Sequence, residues 1–178
     1  KIEQLKKKLT NIESFKIDDL QKLPVLTGII ELQFQNNFFY MININNDDAT
    51  VLKYLWRNNY EPFSLELWYK ITRNDEYFFD VGAHTGIYSI IGNLNKKGNQ
   101  IISIEPYFLN YARLLSNLRL NKISNNNCFL AALSNTEGED SFMIQASRSY
   151  LTQGGQISKK GNLKIIKKKI DNFILKKK

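Results

Sequence analysis

Cysteine and histidine are almost missing from this sequence, with one of each in 178 residues. A lone Cys128 excludes an internal disulfide framework, and one cysteine with one histidine cannot furnish a dedicated Cys/His zinc site. Long hydrophobic runs are missing too. No apolar stretch approaches the ~18 residues that a membrane span needs, and no secretory signal pattern opens the chain. The default expectation is a soluble protein of a reducing, cytoplasmic compartment. The first residue is lysine rather than methionine and the last three are lysines, which reads as a piece of a longer product.

An even distribution of positive charge is also lacking. The formal net charge is +8, yet residues 159–178 alone hold nine lysines and one acid, Asp171. Residues 1–158 therefore carry 16 basic and 16 acidic groups and balance. A nucleic-acid surface places cations around the site of chemistry. A lysine-rich terminal segment is more simply a solvated edge.

What is present is 43% apolar residues, enough to bury one sizeable core. Residues 1–23 read as one amphipathic helix or two short ones, with Ile2, Leu5, Leu9 and Ile12 at helical spacing and Glu3–Lys7 as an i,i+4 pair. GIIELQF and FFYMINI are two strands of a hairpin that bends at Gln35-Asn36-Asn37. Asp47 and Asp48 are placed to cap a helix bearing Val51, Leu52, Leu55 and Trp56. After Tyr60-Glu61-Pro62, Ser64 is the expected cap of a second helix through Trp68 and Ile71.

From Glu76 the pattern becomes strand, helix, strand, helix, strand. Residues 77–79 form a short apolar strand, 87–94 a helix, and 96–99 a turn at Gly98. Residues 101–104 form a second strand, ending in Glu105-Pro106. A helix then follows with Phe108, Tyr111, Ala112, Leu115 and Leu118 on one face and Arg113 and Arg119 toward water. Residues 128–133 are a third apolar strand. Continuous apolar strands alternating with helices imply a parallel sheet covered on both faces. Later strands are expected near 141–144 and 163–170, around a polar loop with Gly154, Gly155 and Gly161. The division is a helical and hairpin extension over residues 1–72 and an α/β core over 73–178.

The segment FFDVGAHTGIYSI poses the functional question. An apolar strand ends in Asp80, bends between Gly82 and Gly86, and resumes as a helix. In an open α/β sheet, ligands bind beyond the carboxyl ends of the strands, where Glu105 also falls. A P-loop needs a longer glycine spacing and a Lys-Ser/Thr pair, and a dinucleotide fingerprint needs G-x-G-x-x-G. Here D-x-G-x-x-x-G puts an anion just before the turn, which repels phosphate and suits a cation. S-adenosyl-L-methionine carries a sulfonium and an ammonium group and no phosphate. Asp80 would face its amino-acid end, and the two oxygens of Glu105 would accept the ribose hydroxyls.

DVGAHTGIYSI, IEPYFLNYARLLSNLRLN and LAALSNTEGEDSF resemble the successive motifs of the FkbM-type methyltransferases, a class I S-adenosylmethionine-dependent family. NNYEPFSLELW is similar to that family's approach to its first strand, and KKKIDNFI to its leucine-aspartate element. The resemblance spans about residues 60–174. It implies a Rossmann-like class I methyltransferase sheet, incomplete in its C-terminal half, behind an N-terminal helix and β-hairpin extension. It also implies O-methylation of a small-molecule or glycan acceptor, a sugar or secondary-metabolite hydroxyl. Matched residue by residue, it places Asp80, Gly82, Ala83, His84, Thr85 and Gly86 in the cofactor loop and Glu105 on the ribose. Pro106, Tyr107 and Ala132 then fall near the adenine. Asn172 stands where the family has a second aspartate. The family's next acidic strand would lie beyond Lys178, together with part of the acceptor pocket.

His84 sits inside the cofactor loop, so it is expected to touch methionine or solvent rather than to act as a base. Glu61, near the mouth, is a candidate to help cofactor or acceptor. Cys128, Trp56 and Trp68 read as core. No general base and no metal ligand set identifies itself. Two other readings stay open: an RNA methyltransferase tethered by its lysine tail, and a non-catalytic nucleoside-binding module.

Overall fold

The computed structural model describes residues 4, 6, 9, 11–58, 60–74, 76–94, 101–144, 151 and 155–174. Ile2, Leu5, the Glu3–Lys7 pair, the turn at Gly98, Gly154 and the terminal lysines 176–178 lie outside them.

At the N-terminal side, a 3-10 turn (Ile12–Ser14) and a short helix α1 (Ile17–Gln21) precede the hairpin, and Leu20 is their one fully buried side chain. Strands β1 (Gly28–Phe34) and β2 (Asn37–Asn43) pair antiparallel, closing at Phe34 opposite Asn37. The two-residue connection has Gln35 at φ 51°, the left-handed conformation that tight hairpins require. Alternation then sends Leu32, Phe34, Phe39 and Met41 inward.

Helix α2 (Ala49–Arg57) is capped by Asp48 alone, whose carboxylate accepts from the amides of Thr50 and Val51 at 2.9 and 3.3 Å. Helix α3 (Pro62–Ile71) starts two residues before the expected Ser64 cap. Proline supplies a pre-set φ at the first helical position and lacks an N–H that would go unpaired there.

The core follows as β3 (Phe78–Val81), α4 (Ile87–Asn93), β4 (Ile101–Glu105), α5 (Phe108–Leu120) and β5 (Cys128–Leu130). Strands β3, β4 and β5 form a parallel sheet in that order, with Asp80 opposite Ser103 and Glu105 opposite Leu130. The third strand does not run through to Leu133. Ala131 still donates to the Glu105 carbonyl at 3.2 Å, but the chain then changes sheets. Strand β6 (Ala132–Leu133) pairs parallel with β9 (Leu163–Lys168) in a second sheet. In that sheet β7 (Gly138–Ile144) runs antiparallel to both β9 and β8 (Gly155–Ile157), which gives the order β6-β9-β7-β8. A short helix, α6 (Asp171–Ile174), ends the described chain.

One apolar cluster joins the extension to the helices beside the parallel sheet: Phe39, Met41, Trp56 and Leu65 share it with Ile90 and Ile91 of α4 and Leu114 and Leu118 of α5. The opposite face of the sheet, Ile102, Ile104 and Ala131, packs on Phe173 of α6. The result is a mixed α/β architecture with a parallel three-stranded sheet.

Helix α5 is rotated from the expected stripe. It buries Asn110, Leu114, Asn117 and Leu118, and leaves Phe108 exposed. Arg113 does not face water: its guanidinium meets Asp47 at 2.7 Å, both side chains being largely buried, and donates to the Ile42 carbonyl at 2.9 Å. That pair occupies the acid expected to share in capping α2. Trp56 and Cys128 are core residues as read, and burial pushes the Cys128 thiol up to about 11. Trp68 packs edge-on to Phe78 and Tyr88 and donates to the Tyr88 carbonyl at 2.8 Å.

Candidate functional site

Strands β3 and β4 deliver two acids to one end of the sheet. Asp80, buried near the end of β3, accepts from the Ser89 hydroxyl at 2.5 Å, and Ser89 is itself 2.7 Å from the Ser103 hydroxyl. Burial raises the Asp80 carboxyl from 3.8 to about 6; the hydroxyl and amide of Ser89 oppose that rise, and the charge of Glu105 adds to it. Glu105, the last residue of β4, is 4% exposed. Its Oε2 accepts from the His84 amide at 2.8 Å. Its Oε1 accepts from the Tyr107 amide at 3.0 Å and from Asn110 Nδ2 at 3.4 Å. This carboxylate therefore clasps the loop to the start of α5. Both lone pairs of Oε1 are thereby engaged, and Oε2 keeps one free.

The loop itself is fixed from below. Gly82 and Ala83 both donate their amides to the Ile104 carbonyl, at 2.8 and 3.1 Å. With the His84 amide on Glu105, three consecutive N–H groups are spent on strand β4. A phosphate cradle needs such groups free and pointing outward. Gly82 and His84 hold φ of 75° and 51°. At Gly86, φ is 97°, a conformation that demands glycine, and a Cβ would lie 2.5 Å from Leu114 Cδ1, so the Leu114 side chain would also have to shift. Above Gly82 the space is open.

A cavity of about 120 Å³ lies over this clasp, and Gly82, His84, Glu105, Pro106 and Tyr107 line it. Five residues singled out from the sequence thus meet in one place. The other five do not line it. Ala83 and Thr85 point into the core, Asp80 and Gly86 lie behind the loop's exposed side, and Ala132 is buried with Tyr107, Phe142 and Ile165. Sequence reasoning missed Asn110, Phe142 and Gly155 in the cavity wall. Asn110 was legible as the residue one turn into α5. Phe142 and Gly155 arrive on β7 and β8 of the second sheet, whose return over the site leaves no periodic signal. A second, more apolar cavity of about 290 Å³ shares Pro106 and Tyr107 and continues to Leu130 and Ile165.

Among the described residues, no lysine or arginine pairs with Asp80 or Glu105. Two buried acids, with no cation paired to them among the described residues, make the site electronegative. His84 Nδ1 lies 3.1 Å from the Thr85 hydroxyl, while its Nε2 is buried with no hydrogen-bond partner. Glu61, at the N-cap of α3 with φ 45°, accepts from the Tyr88 hydroxyl at 2.6 Å. No group of three His, Cys, Asp or Glu side chains able to hold a metal occurs among the described residues. Two of the C-terminal lysines face acids, Lys167 on Asp140 at 2.8 Å and Lys164 near Glu139 at 3.7 Å. No helix among the described residues is long and apolar enough to cross a membrane.

No protein-family model, curated protein or solved structure matches this chain.

Proposed function

We propose that this chain is the donor-binding part of an S-adenosylmethionine-dependent methyltransferase of the FkbM type, with a Rossmann-like class I sheet. Its acceptor would be a hydroxyl of a sugar or secondary metabolite. One observation carries the reading: two buried carboxylates, with no cation paired to them among the described residues, stand at adjacent strand ends, beside a loop that spends three consecutive amides on strand β4. Such a site attracts a positively charged nucleoside and offers a pyrophosphate nothing to bind.

The residues present fit the group. Glu105 Oε2 has a lone pair left for a ribose hydroxyl, Asp80 places negative charge behind the loop, and Tyr107 with Pro106 forms an apolar wall for a base. The smaller cavity alone is below the ~300 Å³ at which ligand sites begin, but with its apolar neighbour the space enters that range. When bound, the donor supplies an electrophilic methyl group on a sulfonium that departs as a neutral thioether. The chain's own contribution is then alignment and exclusion of water rather than charge transfer. Gly82 leaves room for close approach, Glu105 would hold the ribose, and the fixed loop would line the donor.

The test is on the ligand, so that folding is untouched. Binding of S-adenosylhomocysteine and of its 2′,3′-dideoxy analogue is compared by calorimetry. Loss of the two hydroxyls is expected to weaken binding at least about tenfold. Equal affinities would remove Glu105 from the ribose.

A further inference from the structure

We infer that Asn117, which touches no part of the cavity, is a positioning residue that suspends the ligand loop from the N-terminal hairpin. The outward edge of β2 presents the amides and carbonyls of Tyr40 and Ile42, groups that an open sheet edge leaves for another strand. Helix α5 meets that edge with three side chains spaced four residues apart, which places them on one face. Arg113 donates to the Ile42 carbonyl at 2.9 Å, and Asn117 Oδ1 accepts from the Ile42 amide at 2.8 Å. Asn121 completes the row, accepting from the Tyr40 amide at 2.8 Å and donating to the Tyr40 carbonyl at 2.7 Å. All four edge groups are satisfied by side chains of one helix.

Asn117 differs from its two neighbours in where its other end goes. Fully buried, it donates from Nδ2 to the Thr85 carbonyl at 2.8 Å, inside the loop. One turn earlier, Leu114 packs where a Cβ on Gly86 would fall. The loop is thus held from the cavity side by Glu105 and from behind by Asn117, and that second hold is anchored in the hairpin. The left-handed backbone of His84 sits between the two holds. The position of the ligand-facing backbone depends on an element far from it in sequence.

The inference rests on residues 82–86 being the donor loop, and the experiment separates the two. Asn117→Asp keeps the acceptor for Ile42, deletes the donor to Thr85 and sets an oxygen against that carbonyl. Asn121→Asp inflicts the same change on the Tyr40 carbonyl, and on the Asn117 carbonyl that shares its donor, and leaves the loop bond intact. Amide hydrogen exchange of Gly82, Ala83, His84 and Gly86 is read in both variants, together with the dissociation constant for S-adenosylmethionine. Asn117→Asp is expected to speed loop exchange and weaken binding by about tenfold, and Asn121→Asp by less than about twofold. If Asn117→Asp does not fold, the pair Asn117→Ala and Asn121→Ala is read in the same way. Equal effects from the two positions, or loop exchange unchanged at Asn117, would overturn the inference. If the wild type shows no affinity for the donor, the exchange arm still decides for or against Asn117 while the proposed function fails.

Discussion

Replacing Glu105 by glutamine tests the clasp with the smallest possible change. The carboxylate accepts two backbone amides and one side-chain amide in a position with 4% exposure, where water cannot take over. Glutamine keeps one accepting oxygen and turns the other into an NH₂ group that faces a donor. Charge-assisted bonds contribute about 1.5–3 kcal/mol, and a buried donor left unpaired costs a further ~1–3 kcal/mol. Relief of the repulsion with Asp80 and of the buried charge offsets part of this, leaving a net loss of about 2 kcal/mol. For a chain of this size each kcal/mol moves the melting temperature by roughly 2–4 °C, so a fall of about 4–8 °C is expected. Urea unfolding followed by Trp56 and Trp68 fluorescence gives the free energy directly, with an unchanged denaturant slope. A variant within about 0.5 kcal/mol of wild type, the ordinary range of a surface substitution, would mean that the carboxylate does not hold the loop.

Three further outcomes follow from the same contacts. Asp80 has a folded pKa of about 6, above its ordinary 3.8, so folding takes up a proton between those values. Stability from this group is complete below about pH 4 and falls as pH rises through 6, by up to about 3 kcal/mol. Asp80→Asn should flatten that slope in urea midpoints at pH 5 and 7; an unchanged slope would locate it elsewhere. Gly86→Ala meets Leu114 as well as an unfavourable φ, whereas Gly82→Ala meets only the φ. The first should cost more than about 2 kcal/mol and the second about 1, compared by thermal melts; equal costs would refute the packing argument. Arg113→Ala strands Asp47 and the Ile42 carbonyl and should destabilise by about 2–4 kcal/mol in urea unfolding. A value near zero would return Arg113 to the solvated face that the helix periodicity suggested.

The strand–helix–strand order and the ends at which Asp80 and Glu105 fall were legible because they depend on local pattern. Apolar runs of four or five residues, a glycine turn and a resumed helical period are written within thirty residues of chain. What was not legible depends on partners distant in sequence. Arg113 and Asn117 look like the polar side of α5 until the edge of β2, some seventy residues earlier, takes them as hydrogen-bond partners. Residues 128–133 read as one strand because nothing local marks Ala131 as the point where pairing passes from β4 to β9. Glu105 was expected to spend both oxygens on a ligand. The amides of His84 and Tyr107 and the side chain of Asn110 claim three of its four lone pairs, a use visible only once the loop and α5 are in place.

In the proposed function, negative charge at this strand end selects a cationic nucleoside. Calorimetric titration of the wild type and Asp80→Asn with S-adenosylmethionine, S-adenosylhomocysteine and NAD tests it most directly. The wild type is expected to bind the sulfonium form more tightly than the neutral thioether, Asp80→Asn to narrow that difference, and NAD not to compete. Tighter binding of NAD, or no affinity for either sulfur nucleoside, would contradict it.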